Sequence, residues 1–188
     1  MIAAGFANPV LDSQRCFRSV LDAMARPGRV HQVAGLAEVP APLNAASAAV
    51  LLTLADADTP VWLDAPGVVD WLRFHAGCPV VAAPAAAQFV LANGAMPALA
   101  GLEAGTEEDP QLGATLLVQV AALEAGRGWR LRGPGIESEH RLHVAGLPGD
   151  FLAQWAANAA RFPRGVDVVL CCGDALACLP RSVRIEEG

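Results

Sequence analysis

The sequence contains no lysine and no tyrosine, so all 13 of its basic side chains are arginines. Without a side-chain amine there is no Schiff-base chemistry and no lysine general base. Basic residues are also outnumbered, giving a formal net charge of −6, which argues against nucleic acid as a partner. The longest apolar run, Pro42 to Ala55, is broken by Asn44, Ser47 and Thr53. It falls short of the ~18 apolar residues that suggest a membrane span. The first basic residue is Arg15, so the charged start of a signal peptide is missing and a cytoplasmic protein is expected.

Known motifs are equally scarce. No C-x-x-C pair occurs among Cys16, Cys78, Cys171, Cys172 and Cys178, and CCGDALAC fits no zinc spacing. Reduced, buried thiols are the expectation. A Walker loop would need a lysine, and a dinucleotide loop would need a third glycine between strand and helix. No G-x-S-x-G elbow is present, and the D-A-D of Asp56 and Asp58 is too sparse for a calcium loop.

What remains is an apolar chain of 188 residues, 54% hydrophobic and 17% charged, suited to a single domain spanning 1–188. DSQRCFRSVLDAMARPG predicts a helix capped by Asp12 or Ser13, with Phe17, Val20, Leu21 and Met24 inward, stopped by Pro27 and Gly28. A second, buried helix follows Asn44, with Val50, Leu51 and Leu54 inward. A third carries Val68, Trp71, Leu72 and His75, where His75 reads as a core histidine. A fourth runs from about Asp150 to Ala160. TPVWLD, PVVA, QFVLA, ATLLVQVAAL, VDVVLCC and RSVRI read as strands. The pattern predicts an α/β fold: one mixed β-sheet with helices on both faces.

WRLR and RLHV alternate strictly around RGPGIESEHRL. Paired as a hairpin, they put Trp129, Leu131, Leu142 and Val144 on the core side and Arg130, Arg132, Arg141 and His143 opposite. Such a cluster needs a negative counterpart: Glu137 or Glu139 from the loop, a partner's carboxylates, or an anionic ligand. Gly133 and Gly135 open the turn. A hairpin with internally paired charges, an interface and a small-molecule anion site all fit. Cys171 or Cys172 with His140, His143 or His75 as base is a more remote possibility.

AMARPG, RGPGIE, and FPRGVD followed by CGDAL, with the runs around them from about residue 6 to 185, resemble the PhnH family of the bacterial carbon–phosphorus lyase system. The resemblance implies a homodimer that assembles with PhnG, PhnI and PhnJ. It implies support, with PhnG and PhnI, for transfer of the ribose 5-triphosphate part of ATP to a phosphonate with adenine release. ATP and phosphonate would be substrates of the complex, and this chain an assembly subunit or a ligand-contacting one. It further implies a fold similar to the PLP-dependent transferases but without PLP, in keeping with the missing lysine. No catalytic residue carries over from the family. Arg130, Arg132, Gly133, Gly135, Glu137, Arg141 and His143 are therefore candidates for interface or anion contact only.

Overall fold

A computed structural model describes residues 2–188. Its first helix, α1 (Pro9–Ala25), starts earlier than expected. Asn8, not Asp12 or Ser13, caps it: its Oδ1 accepts from Leu11 N at 3.1 Å, and Pro9 takes the first helical position. The inward stripe also differs from the expected one. Asp12, Cys16, Val20 and Ala23 are buried, whereas Phe17 and Leu21 are 48% and 57% exposed. The reason is close packing on the alanine-rich helix α2 (Ala45–Leu54), which favours the small Cys16 and Ala23 at the contact. Asp12 tolerates burial because Asn8 N donates to its Oδ2 at 2.8 Å and Arg15 Nη1 to its Oδ1 at 3.2 Å.

Helix α2 follows the Asn44 cap as expected. A single 3₁₀ turn, Pro66–Val68, leads into α3 (Val69–Ala76), which buries Trp71 and Leu72 and ends at Gly77. His75 is a structural side chain there, its Nε2 2.9 Å from the Ala3 carbonyl.

Strands β1 (His31–Gln32), β2 (Val61–Leu63), β3 (Phe89–Ala92), β4 (Thr115–Gln119), β7 (Asp167–Cys172) and β8 (Ala175–Leu179) form one sheet, in the order β1-β8-β7-β4-β3-β2. Its four central and edge members β2, β3, β4 and β7 are parallel, with β8 and β1 antiparallel beyond them. PVVA contributes only a bridge from Val80 to Val61, not a strand. ATLLVQVAAL is not one strand either: it breaks after Gln119, and Ala122 opens the long strand β5 (Ala122–Arg132).

That break changes the architecture. β5 pairs with β6 (His140–Ala145) and β9 (Arg184–Glu186) in a separate antiparallel sheet, ordered β6-β5-β9. The expected mixed sheet with helices on both faces is present, but a second, antiparallel sheet that was not expected lies over one of those faces. Helices α1, α2 and α3 cover one face of the larger sheet; the smaller sheet and α4 (Phe151–Ala159) cover the other. One-sided strands explain this, since an antiparallel layer can bury one face and wet the other.

The two cores share strands by alternation. Leu91, Leu117 and Val169 point to the α1–α3 side, while Val90, Leu116, Val118 and Leu170 meet Leu131, Leu142, Phe151 and Trp155. Trp155 satisfies its indole by donating to the Val183 carbonyl at 2.9 Å. All five cysteines are unbridged, and only Cys172 is not fully buried. Among the described residues, no helix is long and apolar enough to cross a membrane.

Candidate functional site

The hairpin is in the register that its alternation demands. Trp129 faces Leu142 and Arg130 faces Arg141, with a bulge between Ala125 and Trp129 that absorbs Gly126, Arg127 and Gly128. Arg130, Arg132 and Arg141 share the outer face. On β9, Arg184 stands opposite Arg132, and Glu186 opposite Arg130. Sequence reasoning did not supply these last two, because nothing local shows that the final strand joins this sheet.

Two carboxylates answer the four arginines. Glu139 bridges Arg132 Nη2 at 3.5 Å and Arg141 Nε at 3.3 Å; Glu186 sits 3.3 Å from Arg130 Nη2. Arg130 Nε is buried without any acceptor among the described residues. Glu137 is exposed and forms no ion pair among the described residues. His143 lies apart, opposite Glu124 in the register. Arg127 forks onto Glu124 through Nε at 2.8 Å and Nη2 at 2.7 Å, and this hydrogen bonding holds the Glu124 carboxyl below its ordinary pKa.

The glycines of the turn have a steric role. Gly135, at φ 80°, packs so closely on the Ala25 carbonyl that no Cβ could fit. The C-terminal end of α1 therefore docks on the hairpin turn. A second lock lies beside it: His140 Nδ1 is 2.6 Å from the Pro27 carbonyl. That oxygen can only accept, so Nδ1 carries the proton. AMARPG and RGPGIE, about a hundred residues apart, thus form one junction.

The junction lines an open cleft of about 700 Å³. Gly28, Arg29 and His31 form one wall; Gly126, Glu139, His140 and Arg141 form the other. Arg29 is exposed and forms no ion pair among the described residues. Arg26 pairs with Asp22, whose other oxygen lies 3.0 Å from His31 Nε2. Burial, and after it Arg29 and Arg26, push the His31 pKa below its ordinary value. Of the residues singled out for interface or anion contact only Arg141 lines this cleft, together with Glu139 and His140, which the sequence offered in other roles. Arg29 and His31 escaped notice because PGRVH carries no signal beyond the end of a helix.

A second polar group lies where β2, β3 and β4 end. Gln119 Oε1 accepts from Asn44 N at 2.5 Å and Ser47 Oγ at 2.8 Å; its Nε2 donates to the Pro42 carbonyl at 3.0 Å and to Asn93 Oδ1. Asp64 accepts from Asn93 N at 2.7 Å and Gly94 N at 2.8 Å. Parallel sheets commonly bind ligands at this end, yet here the side chains satisfy one another. A cysteine nucleophile fares worse. Cys171 is wholly buried, and burial pushes its thiol pKa up, away from the reactive thiolate. Among the described residues no group of three or more His, Cys, Asp or Glu side chains is placed to hold a metal ion.

Residues 4–186 match the family described as bacterial phosphonate metabolism protein (PhnH). A Rhizobium meliloti (strain 1021) protein named alpha-D-ribose 1-methylphosphonate 5-triphosphate synthase subunit PhnH is 42% identical, covering 98% of this chain and 95% of its own length. A Stutzerimonas stutzeri protein named putative C-P lyase subunit protein HtxG is 36% identical over 92% of this chain and 85% of its own. The chain belongs to the PhnH family of bacterial phosphonate metabolism proteins.

Proposed function

We propose that the chain is a PhnH subunit of alpha-D-ribose 1-methylphosphonate 5-triphosphate synthase in the carbon–phosphorus lyase system, and that it works chiefly by assembly. In this reading it acts in the cytoplasm, as a homodimer joined to PhnG, PhnI and PhnJ. With PhnG and PhnI it supports transfer of the ribose 5-triphosphate part of ATP to a phosphonate, with release of adenine. Its layered sheet and absent lysine accord with a fold related to the PLP-dependent transferases that has no use for PLP. An identity of 42% over nearly the full length of a protein of that name supports the assignment. The observation that carries the assembly role is the exposed outer face of β5, β6 and β9, with four arginines against two carboxylates. A neighbouring subunit's carboxylates would complete that balance.

The test is reconstitution. Purified with PhnG, PhnI and PhnJ, the chain should be needed for full adenine release from ATP and methylphosphonate; unchanged release on its omission would refute the proposal. Arg132→Ala together with Arg130→Ala should abolish copurification. The cleft beside this face favours a second reading, in which the chain itself contacts the triphosphate or the phosphonate.

A further inference from the structure

We propose that the outward side of α1, with the groove between its last turns and the hairpin turn, docks an acidic amphipathic helix of another subunit. This deepens the assembly reading and rests on it, adding a contact separate from the arginine face of the smaller sheet.

Helix α1 is apolar on two opposite sides. Cys16, Val20 and Ala23 join the core, while Val10, Phe17 and Leu21, at i, i+7 and i+11, point outward and are 76%, 48% and 57% exposed. Leu11, beside them, is 47% exposed, so this one helix carries four of the nine large hydrophobic residues exposed among the described residues. A single exposed apolar side chain is ordinary, whereas a stripe at this spacing is the pattern by which helices dock. Where the stripe ends lies a groove of about 510 Å³, in which Arg18, Leu21 and Ala25 face Gly135 of the hairpin turn. The close packing of Gly135 on the Ala25 carbonyl holds the two walls together, so little order has to be imposed on binding.

The charges beside the stripe select the occupant. By helical spacing Arg18 adjoins it, and Arg15 and Arg26 follow on the same flank. The nearby carboxylates are committed: Asp12 is buried and bonded to Asn8 N and Arg15, and Asp22 is shared by Arg26 and His31. Arg18 is exposed and forms no ion pair among the described residues. A second copy fits poorly. A twofold contact between antiparallel α1 helices sets like flank against like flank and brings these arginines toward one another. A helix with apolar side chains at the same spacing and a carboxylate toward Arg18 meets both features. The homodimer of the assembly reading then uses another face.

The complex purified with PhnG, PhnI and PhnJ tests this. Hydrogen exchange of residues 10–25 should slow in the complex relative to the chain alone. Phe17→Gln with Leu21→Gln should leave the urea midpoint close to wild type, yet weaken association with the other subunits by roughly ten-fold or more. Arg18→Glu should weaken it further than Arg18→Ala, and Arg18→Lys should keep most of it. Leu112→Gln changes a similarly exposed apolar residue outside α1 and should have no effect. Wild-type association of the α1 variants, tighter association with Arg18→Glu, or equal weakening by Leu112→Gln would overturn the proposal. Loss of self-association with the other subunits still bound would assign the stripe to a second copy, and overturn it too. If Arg130→Ala with Arg132→Ala abolishes copurification and the α1 variants do not, only this inference fails. If adenine release is unchanged when the whole chain is omitted, the assembly reading itself fails.

Discussion

The Gln119 network and the arginine hairpin are both polar groups carried on sheet strands, yet they are built to opposite ends. Gln119 uses two acceptor sites and two donors, and all four have partners within the chain. On the hairpin, four guanidiniums with five donors each meet two carboxylates. A closed network fixes the ends of β2, β3 and β4 and has nothing left to offer a ligand. An open one contributes little to stability and leaves donors unused within the chain. The distinction between the two lies in unused hydrogen-bonding capacity, not in the number of polar residues.

The most severe way to break the comparison is to undo the junction that presents the hairpin. Gly135→Ala forces a side chain into left-handed backbone, costing about 1–2 kcal/mol. It also forces overlap with the Ala25 carbonyl, costing about 1–3 kcal/mol more. A total loss of about 2–5 kcal/mol is expected in urea unfolding, along with loss of the cleft. Gln119→Leu comes next. It strands Asn44 N and Asn93 Oδ1 and leaves Ser47 Oγ with the Asn44 carbonyl alone, and about 2–3 kcal/mol should disappear because the site is only partly shielded. If the network is closed, as its bonding implies, copurification with PhnG, PhnI and PhnJ survives this change.

The buried thiols provide a smaller, pH-dependent effect on the closed side of the molecule. Burial raises the pKa of Cys16, Cys171 and Cys178 in the folded state. Unfolded thiols ionise near ~8.5. Above that pH, unfolding releases protons which the folded state retains, so stability is full below it and declines as pH rises. Urea midpoints should fall between about pH 8 and pH 10. In native protein at pH 8, Ellman's reagent should modify Cys172 first, with the rest reacting on unfolding; early modification of Cys171 would contradict its burial.

Local pattern made much of this legible and long-range pairing did not. The alternation in WRLR and RLHV specified the hairpin register, because a one-residue slip would bury Arg130 and expose Leu131. The same reasoning misplaced the inward stripe of α1. Hydrophobicity favoured Phe17 and Leu21, but the close approach of α2 selected Cys16 and Ala23. Asp12 or Ser13 looks like the cap in sequence, but the helix starts a turn earlier, at Asn8, whose N donates to the buried Asp12 carboxylate. The cleft was invisible for another reason: Arg29 and His140 come together only through the contact of Pro27 with β6.

Removing a hairpin arginine should have the smallest effect on folding and a large one on assembly. The ion pairs of Arg130 and Arg132 have separations of 3.3 and 3.5 Å, and the side chains are 38% and 54% exposed. Solvent screening at such positions limits each pair to less than about 1 kcal/mol. Arg132→Ala should therefore shift the urea midpoint barely, since Glu139 keeps Arg141 as a partner. If the face docks on a carboxylate-bearing neighbour, the same change removes a donor that becomes desolvated only in the complex, where a lost charged hydrogen bond costs about 2–5 kcal/mol. Near-wild-type unfolding with lost copurification is the expected combination. A destabilised chain that still copurifies would reverse the roles assigned to the two polar regions, making the hairpin the structural one.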